Sequence, residues 1–211
     1  MAKTQKQKTQ KQMKQKVKNK KAVKKVFFEV SAPLTSTKIH LYAATPQELD
    51  GRTVKLDLTK SLRGKNLELK IRIKNEKEKL IGIPESMKLV STYVQKVVRK
   101  GTDYSEDSIT AQCRDFEVRI KPLMVTRRRV SRKVLAALRE SARKQLISHL
   151  KTRDAEEIFS EIITNRLQKQ LAAKLKKIYP LALCEIRMFE VLGAVKEQPK
   201  EEEGAKTDSS E

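Results

Sequence analysis

Tryptophan is absent from this 211-residue sequence, and only nine residues are aromatic. Glycine and proline number six each and cysteine only two, so a disulfide framework is not expected. No apolar run approaches the roughly 18 residues that a membrane-spanning helix needs, and the N-terminus lacks the apolar segment of a secretory signal. We therefore expect a soluble intracellular protein without a membrane partner. Cys113 and Cys184 are far apart and have no metal-ligand spacing, so both are expected to be reduced core residues.

Motifs that carry catalysis are also missing. The chain has no GxxxxGK[ST] phosphate loop, no GxGxxG, no HExxH and no GxSxG. His40 and His149 have no partner cysteine or carboxylate cluster in the sequence. We therefore expect no enzyme activity, no catalytic residue, no metal site and no cofactor.

Positive charge is what the sequence has in excess. Lys and Arg total 48 against 26 Asp and Glu, which gives a net charge of +22 and a pI near 10.0. A surface of this kind attracts a large polyanion, and nucleic acid is the obvious one. RNA is favoured over DNA, since folded RNA is recognised largely through shape, 2′-hydroxyl and phosphate contacts that need few base-reading side chains.

The two ends of the chain differ in charge from each other. Residues 1–25 contain eleven lysines and no acid, which predicts a disordered basic arm that binds RNA, although a targeting address remains an alternative reading. Residues 196–211 contain six acids and three lysines and are predicted to form a disordered acidic tail. Residues 26–195 retain 34 basic and 20 acidic residues and are predicted to form a single domain.

Alternating apolar residues predict strands in the first half of this body. The clearest example runs from Leu67 to Ile73, and Thr53 to Leu58 alternates as well. Val26 to Val30 and Leu80 to Ile83 are short apolar runs that also predict strands. Residues 109–113 and 116–120 predict a hairpin that turns at Arg114-Asp115. We expect residues 26–125 to be mostly β.

The second half changes to helical spacing. Helices are predicted over 128–150 and from Asp154, with a break at Asn165, whereas one earlier helix, capped by Ser86 and with Gly101 as its left-handed stop, is predicted within the mostly β region. Residues 128–179 are thus mostly α, and Cys184, Ile186 and Met188 predict a final strand over 182–192 that returns to the sheet. The order favours an α+β fold with an antiparallel sheet.

The candidate binding residues are basic groups near helix ends. Three consecutive arginines from Arg127 precede a predicted helix start, where backbone N–H groups also favour phosphate, and guanidinium groups suit phosphate because they bond two oxygens. Ion pairs with Glu140 are the alternative for the arginines, and the helix dipole is the alternative for the lysines near 176. The candidate rRNA-binding residues are Lys18, Lys20, Lys21, Lys24, Lys25, Arg127, Arg128, Arg129, Arg132, Lys133, Arg139, Arg143, Lys174, Lys176 and Lys177.

Aromatic residues offer a second kind of RNA contact. Phe27, Phe28, Tyr42 and Tyr179 could stack on unpaired bases. Phe27 and Phe28 lie in an apolar strand, however, and at least one of them is expected in the core.

Blocks of residues along the chain resemble a known family. The blocks are Lys24-Lys25 with Phe27-Phe28 and Ala32-Pro33, Thr45-Pro46 with Leu49-Asp50-Gly51-Arg52, Val98-Arg99-Lys100-Gly101-Thr102, Thr126-Arg127-Arg128, and Lys176-Lys177-Ile178-Tyr179-Pro180-Leu181 followed by Glu185-Ile186-Arg187. In this order they resemble the archaeal and eukaryotic small-subunit ribosomal protein family S-one-e, also called S-three-A-e, and its archaeal members most. Phe27 stands where the family usually has Trp, and Arg114-Asp115 where it has Asp-Gly.

The resemblance implies a β-barrel-like domain with flanking helices. It also implies a cytoplasmic, ribosome-bound structural protein on the small-subunit platform, near the mRNA exit and the 3′ end of the rRNA. Its partners would be small-subunit rRNA, neighbouring small-subunit ribosomal proteins and mRNA near the exit channel. A free-standing RNA-binding regulator or RNA chaperone is the alternative, and a nucleic-acid-processing enzyme is a third reading.

Overall fold

The computed structural model describes residues 24–35, 38–60, 62, 65–76 and 79–194. The predicted arm, apart from Lys24 and Lys25, and the predicted tail lie outside these ranges. The domain boundaries at 25/26 and 195/196 stay a prediction.

Strands dominate the first half of the chain and helices the second, which confirms the α+β class. A short 3-10 helix, Pro46–Leu49, lies between the second and third strands. The strands are β1 (Val26–Ser31), β2 (Ile39–Ala43), β3 (Thr53–Asp57), β4 (Leu67–Glu76), β5 (Lys79–Leu89), β6 (Tyr104–Glu106), β7 (Ile109–Gln112), β8 (Phe116–Thr126) and β9 (Leu181–Ala194). The helices are α1 (Ser91–Val97), α2 (Arg132–Leu150), α3 (Ala155–Ile163) and α4 (Arg166–Leu175).

The strands form one hydrogen-bonded sheet in the order β2-β1-β5-β9-β8-β6, with β3 on β4, β4 on β5 and β7 on β8. The sequence predicted an antiparallel, barrel-like sheet. The pairing of Val30 with Leu80 and of Ser31 with Ile81 is parallel, so the sheet is mixed. Among the described strands the sheet is not closed, because β2 and β6 end the order without pairing with each other.

The chain divides into two compact units. The first unit contains the described residues up to Val54 together with Ile71–Ile83. Alternation of side chains along β1 and β2 turns one face inward, and a small apolar cluster fills it. The cluster comprises Val30, Ala43, Leu49, Ile73 and Leu80, with Phe28, Ile39, Leu41 and Val54 packed against it.

The second unit contains Lys55–Lys70 and the described residues from Pro84. Its centre is the antiparallel pair β8 and β9, which extends from Phe116 opposite Ala194 to Thr126 opposite Leu181. One register shift falls between Lys121 and Pro122, where proline cannot donate a ladder hydrogen bond. The predicted hairpin at Arg114-Asp115 is confirmed by the pairing of β7 with β8.

Helices α2, α3 and α4 bury one apolar stripe each in the second unit. Spacing of three or four residues places the stripe on one side of each helix. Phe159 of α3 meets Phe189 of β9 edge to face, with ring centroids 4.7 Å apart. The buried apolar residues are Leu138, Ala142, Leu146 and Leu150 in α2, Ala155, Ile158, Phe159 and Ile162 in α3, and Leu167, Leu171 and Leu175 in α4.

Two predicted helix starts need correction, and a third is confirmed without its predicted capping hydrogen bond. The helix assigned to Ser86 begins at Ser91, because Met87 and Leu89 are buried on one face of β5. The helix assigned to 128–150 begins at Arg132, because the Val130 N–H is bonded to the Asp103 carboxylate. Asp154 does precede α3, but its carboxylate makes no capping hydrogen bond.

Other local predictions are confirmed. Asn165 separates α3 from α4 and adopts a left-handed φ of 59°. Gly101 has the predicted left-handed φ, 88°, but its predicted role as the stop of the preceding helix is wrong, because that helix ends at Val97. Cys113 and Cys184 are both buried and unpaired thiols.

Candidate nucleic-acid interface

The loop between β8 and α2 carries three consecutive arginines, and its stem is rigid. We call residues 127–131 the arginine loop. Thr126, fully buried, ends β8, and its hydroxyl donates to the Arg128 carbonyl oxygen at 2.7 Å. The Asp103 carboxylate accepts the Val130 N–H at 2.8 Å. The loop backbone is thus fixed at two points, while the Arg127, Arg128 and Arg129 residues are exposed.

Helix α2 continues the basic surface. At 100° per residue, Arg132, Arg139 and Arg143 fall on one side of the helix, and all three are exposed. The buried stripe of α2 occupies another side. One helix therefore presents guanidinium groups outward and apolar groups to the core, as the spacing predicts.

Arg143 differs from the other arginines because it is part of an ion pair. Its Nε and Nη2 donate to the two Asp107 carboxylate oxygens at 3.2 and 3.3 Å. The pair borders a shallow depression of about 260 Å³, which Arg139 and Glu140 also line. Asp107 thereby orients Arg143 and neutralises part of its charge.

Ion pairing does not account for the remaining arginines. Glu140 is bonded to Lys144 at 2.8 Å, and this hydrogen bond lowers the pKa of the Glu140 carboxyl. Within the described part of the chain, the remaining basic side chains of this surface have no carboxylate partner. They are Arg127, Arg128, Arg129, Arg132, Lys133 and Arg139. Such a surplus of positive charge favours an external anion.

The lysines at the end of α4 form a second basic group. Lys174, Lys176 and Lys177 are exposed, and Lys174 is in the last turn of the helix, where the dipole favours a cation. Lys174 also borders a shallow depression of about 390 Å³ that α2 lines with Lys144 and His149. Lys144 was not among the residues that the sequence predicted for this site.

His149 has a structural partner that the sequence did not reveal. Its Nε2 lies 2.7 Å from Oε2 of the buried Glu161, and Arg153 contacts the other oxygen of the same carboxylate. Glu161 belongs to α3 and His149 to the last turn of α2. The three groups therefore tie the two helices together.

A buried ion pair fixes another part of the second unit. Lys65, which is 7% exposed, contacts Glu185 of β9, which is 8% exposed. The Lys65 ammonium also donates to Asn165 Oδ1 at 2.7 Å. A buried ammonium needs such partners, so these contacts join the segment before β4 to β9 and to the α3–α4 junction.

The other predicted site residues are divided between described and undescribed parts. Lys24 and Lys25 are exposed and precede β1 in the first unit, whereas the arginine loop belongs to the second unit. Lys18, Lys20 and Lys21 lie outside the described residues.

Two other kinds of site have no candidate in the described part of the chain. Among the described residues, no group of three or more His, Cys, Asp or Glu side chains could hold a metal ion. None of the helices of the described residues is long and apolar enough to cross a membrane.

Sequence reasoning missed two features of the basic surface and its surroundings. Asp103 anchors the arginine loop from a distance in sequence that no local motif reveals. Phe28 packs against the apolar cluster of the first unit, as expected for one of the two phenylalanines, but Phe27 is 68% exposed. The outward position of Phe27 could have been predicted, because residues two apart in a strand lie on the same face and Phe27 is two residues before the charged Glu29.

Comparison with known proteins gives a consistent result. The model of the Ribosomal S3Ae family matches residues 8–194, which is most of the chain. The small ribosomal subunit protein eS1 of Nanoarchaeum equitans is 29% identical over 178 residues, covering 79% of this chain and 88% of the relative.

Two further archaeal relatives carry the same description. The eS1 protein of Methanothrix thermoacetophila is 26% identical over 74% of this chain and 77% of its own length. That of Haloarcula marismortui is 26% identical over 77% of this chain and 79% of its own length.

Proposed function

The chain belongs to the ribosomal S3Ae family and is an archaeal-type component of the small ribosomal subunit, and on this premise we propose that its arginine loop and α2 bind small-subunit rRNA. One observation carries the proposal. Six exposed cationic side chains, three in the arginine loop and three in α2, have no carboxylate partner in the described residues, and buried Thr126 holds the loop by a hydrogen bond.

Physical chemistry explains why such a loop suits folded RNA. Backbone phosphates repel one another where RNA segments pack, and guanidinium groups that are held in place neutralise that repulsion. A rigid loop loses little conformational entropy on binding. Lys174, Lys176 and Lys177 would contact a further phosphate segment beside α2.

We propose the small-subunit platform near the mRNA exit as the binding location, as the family resemblance implies. Neighbouring ribosomal proteins, and mRNA near the exit channel, would be further partners there, in the cytoplasm. Chemical footprinting of small-subunit rRNA with and without this chain tests the location. Protection confined to rRNA outside the platform would contradict it.

Sedimentation of salt-washed ribosomes tests the function itself. We expect stoichiometric recovery of the chain with the small subunit. Recovery only in the unbound pool would contradict the proposal and would favour a free-standing RNA-binding regulator or RNA chaperone.

An enzyme role has less support. The family is a ribosomal one, and the polar groups near His149 serve to join α2 to α3. We therefore expect no turnover when the purified chain is incubated with RNA and divalent metal ions. Metal-dependent cleavage of RNA by the purified chain would contradict this expectation.

A further inference from the structure

Two aromatic rings lie side by side on the outer face of the first unit. Phe27 of β1 is directly opposite Tyr42 of β2, and their ring centroids are 5.0 Å apart with an interplanar angle of 46°. Phe27 is 68% exposed and Tyr42 is 52% exposed. Two adjoining rings with this exposure present a continuous apolar surface to solvent.

The core of the first unit does not require these rings. The same two strands contribute Phe28, Val30, Leu41 and Ala43 to the core from their inner face. Phe27 and Tyr42 fall on the opposite face, because successive side chains of a strand alternate. Replacing either ring should therefore leave the core intact.

The charges around the rings are positive or neutralised. The Lys25 ammonium lies 5.8 Å from the Tyr42 ring centroid, within the range of a cation–π contact. Glu29, on the same outer face, is bonded to Lys38 at 2.7 Å, and this hydrogen bond lowers the pKa of the Glu29 carboxyl. The nearby acid is therefore balanced, whereas Lys24 and Lys25 have no carboxylate partner in the described chain.

Exposed rings beside unpaired lysines match the chemistry of single-stranded nucleic acid. A base stacks on an aromatic ring, and a lysine contacts the attached phosphate. A protein partner fits less well, because lysine is depleted in protein–protein interfaces. Eleven lysines without an acid among residues 1–25 extend the same charge complementarity along the chain.

We propose that the aromatic face, defined as Phe27, Tyr42 and Lys25, binds an unpaired nucleotide of RNA by stacking. This inference rests on the proposed rRNA binding and adds a second kind of contact to it. The arginine loop contacts phosphates of folded RNA, whereas the aromatic face holds a base that has left its helix. Recognition is expected to tolerate any base, because every base has a π-face.

Fluorescence anisotropy with two labelled RNAs tests the proposal on the full chain. One is a short single-stranded RNA, and the other has the same length and phosphates but abasic residues. Because the two RNAs carry equal charge, the ratio of their affinities reports contacts to the bases, and the ring variants show how much of it comes from Phe27 and Tyr42. The wild-type chain should prefer the base-bearing RNA by about fivefold or more. The double variant Phe27→Ala/Tyr42→Ala should lose that preference.

Two further variants serve as controls. Phe27→Trp keeps an aromatic ring and should retain the preference for the base-bearing RNA. Phe116→Ala removes a ring that is 38% exposed in the second unit and should leave the preference unchanged. Circular dichroism of each variant checks that the fold is kept.

Two results would overturn the inference. The first is an unchanged preference in the double variant, even though the wild-type chain binds rRNA. The second is a wild-type chain that binds the base-bearing and the abasic RNA equally well, because no base is then stacked. Failure of the proposed function is distinguishable from both, because the wild-type chain would then bind neither rRNA nor the short RNA.

Discussion

Asp103 and Thr126 are hydrogen-bonded to each other in both directions. The Thr126 N–H donates to the Asp103 carbonyl oxygen at 2.8 Å, and the Asp103 N–H donates to Thr126 Oγ1 at 3.1 Å. The Thr126 hydroxyl and the Asp103 carboxylate also hold the arginine loop. The pair therefore couples the stability of the second unit to the position of its exposed guanidinium groups.

Replacing Thr126 with valine should destabilise the second unit. The change keeps the shape of the side chain but leaves the Asp103 N–H and the Arg128 carbonyl oxygen without the hydroxyl, so the free energy of unfolding should fall by about 1–3 kcal/mol. Urea denaturation measures this decrease. Thr110→Val, at an exposed position of β7, is the control and should shift stability by no more than about 0.5 kcal/mol. Equal midpoints of urea denaturation for the two variants would contradict the role of Thr126 in holding the arginine loop.

Neutralising the arginine loop should weaken rRNA binding and its dependence on salt. In the triple variant Arg127→Gln/Arg128→Gln/Arg129→Gln, the slope of log K against log salt should flatten by up to about 0.7–0.9 for each phosphate group that the loop no longer neutralises. Filter binding at several salt concentrations measures the slope.

The control for the loop removes equal charge elsewhere. Lys55, Lys60 and Lys88 are exposed and lie outside the candidate binding residues, so their replacement by glutamine should flatten the slope less. If both triple variants flatten the slope equally, net charge alone determines binding, and the arginine loop is not a specific contact site.

Deleting residues 1–25 should reduce the salt dependence further without abolishing binding. The deletion removes eleven lysines, while residues 26–195 keep a net charge of +14. The slope should flatten by about 0.7–0.9 for each phosphate group that the arm neutralises. Removing residues 196–211, whose net charge is −3, is the control and should not flatten it. An unchanged slope in the arm deletion would mean that the arm does not contact RNA.

Breaking the buried ion pair should be the most damaging of these changes. Lys65→Met leaves Glu185 buried without its ammonium partner, which should cost about 3–5 kcal/mol of unfolding free energy. Replacing both residues, as Lys65→Met/Glu185→Leu, should recover much of this stability because no charge is left buried. Lys38→Met removes an exposed pair, which solvent screens, and should change the free energy of unfolding little. If urea denaturation gave the same free energy of unfolding for Lys65→Met and Lys38→Met, the buried pair would not contribute to stability.

Both cysteines should be unreactive in the folded chain. Burial, with smaller effects from Asp115 and Asp154, raises the pKa of the Cys113 thiol to about 11, and burial, with a smaller effect from Glu185, raises that of Cys184 to about 12. The folded state therefore keeps both protons where an unfolded thiol, with a pKa of about 8.5, ionises. These thiols should accordingly lower stability as pH rises above about 8.5.

A thiol-specific reagent checks this expectation. At pH 8 the folded chain should react slowly, and two thiols should react at once after denaturation in urea. Rapid reaction of either cysteine before denaturation would contradict the buried environment.

Period-two patterns predicted the strands well where one face is buried. In β4, Leu67, Leu69, Ile71 and Ile73 are buried as their alternation predicts. Strand β2 was not predicted, although Ile39, Leu41 and Ala43 alternate there too. The parallel pairing of β1 with β5 depends on distant residues, and local spacing cannot reveal it.

One detail of that pairing shows the limit of local reasoning. A Cβ on Gly82 of β5 would lie 2.6 Å from Ile71 Cγ2, so only glycine fits there. The sequence shows a glycine among strand residues but not the isoleucine that requires it. The same limit applies to the candidate site. The spacing of the arginines on α2 can be recognised in the sequence, but the contacts from Asp103 and Asp107 cannot, because both residues are distant in the chain from the groups that they bind.

The pairing of β8 with β9 has a consequence for biosynthesis. A nascent chain that ends at Pro180 would expose the edge of β8 along which Phe116 to Thr126 later bond to residues 181–194. Unpaired edges of this kind invite aggregation until the partner strand emerges from the ribosomal tunnel. The second unit can therefore complete its sheet only after residues 181–194 have left the tunnel, so a truncation within β9 should harm solubility more than the few residues that it removes would suggest.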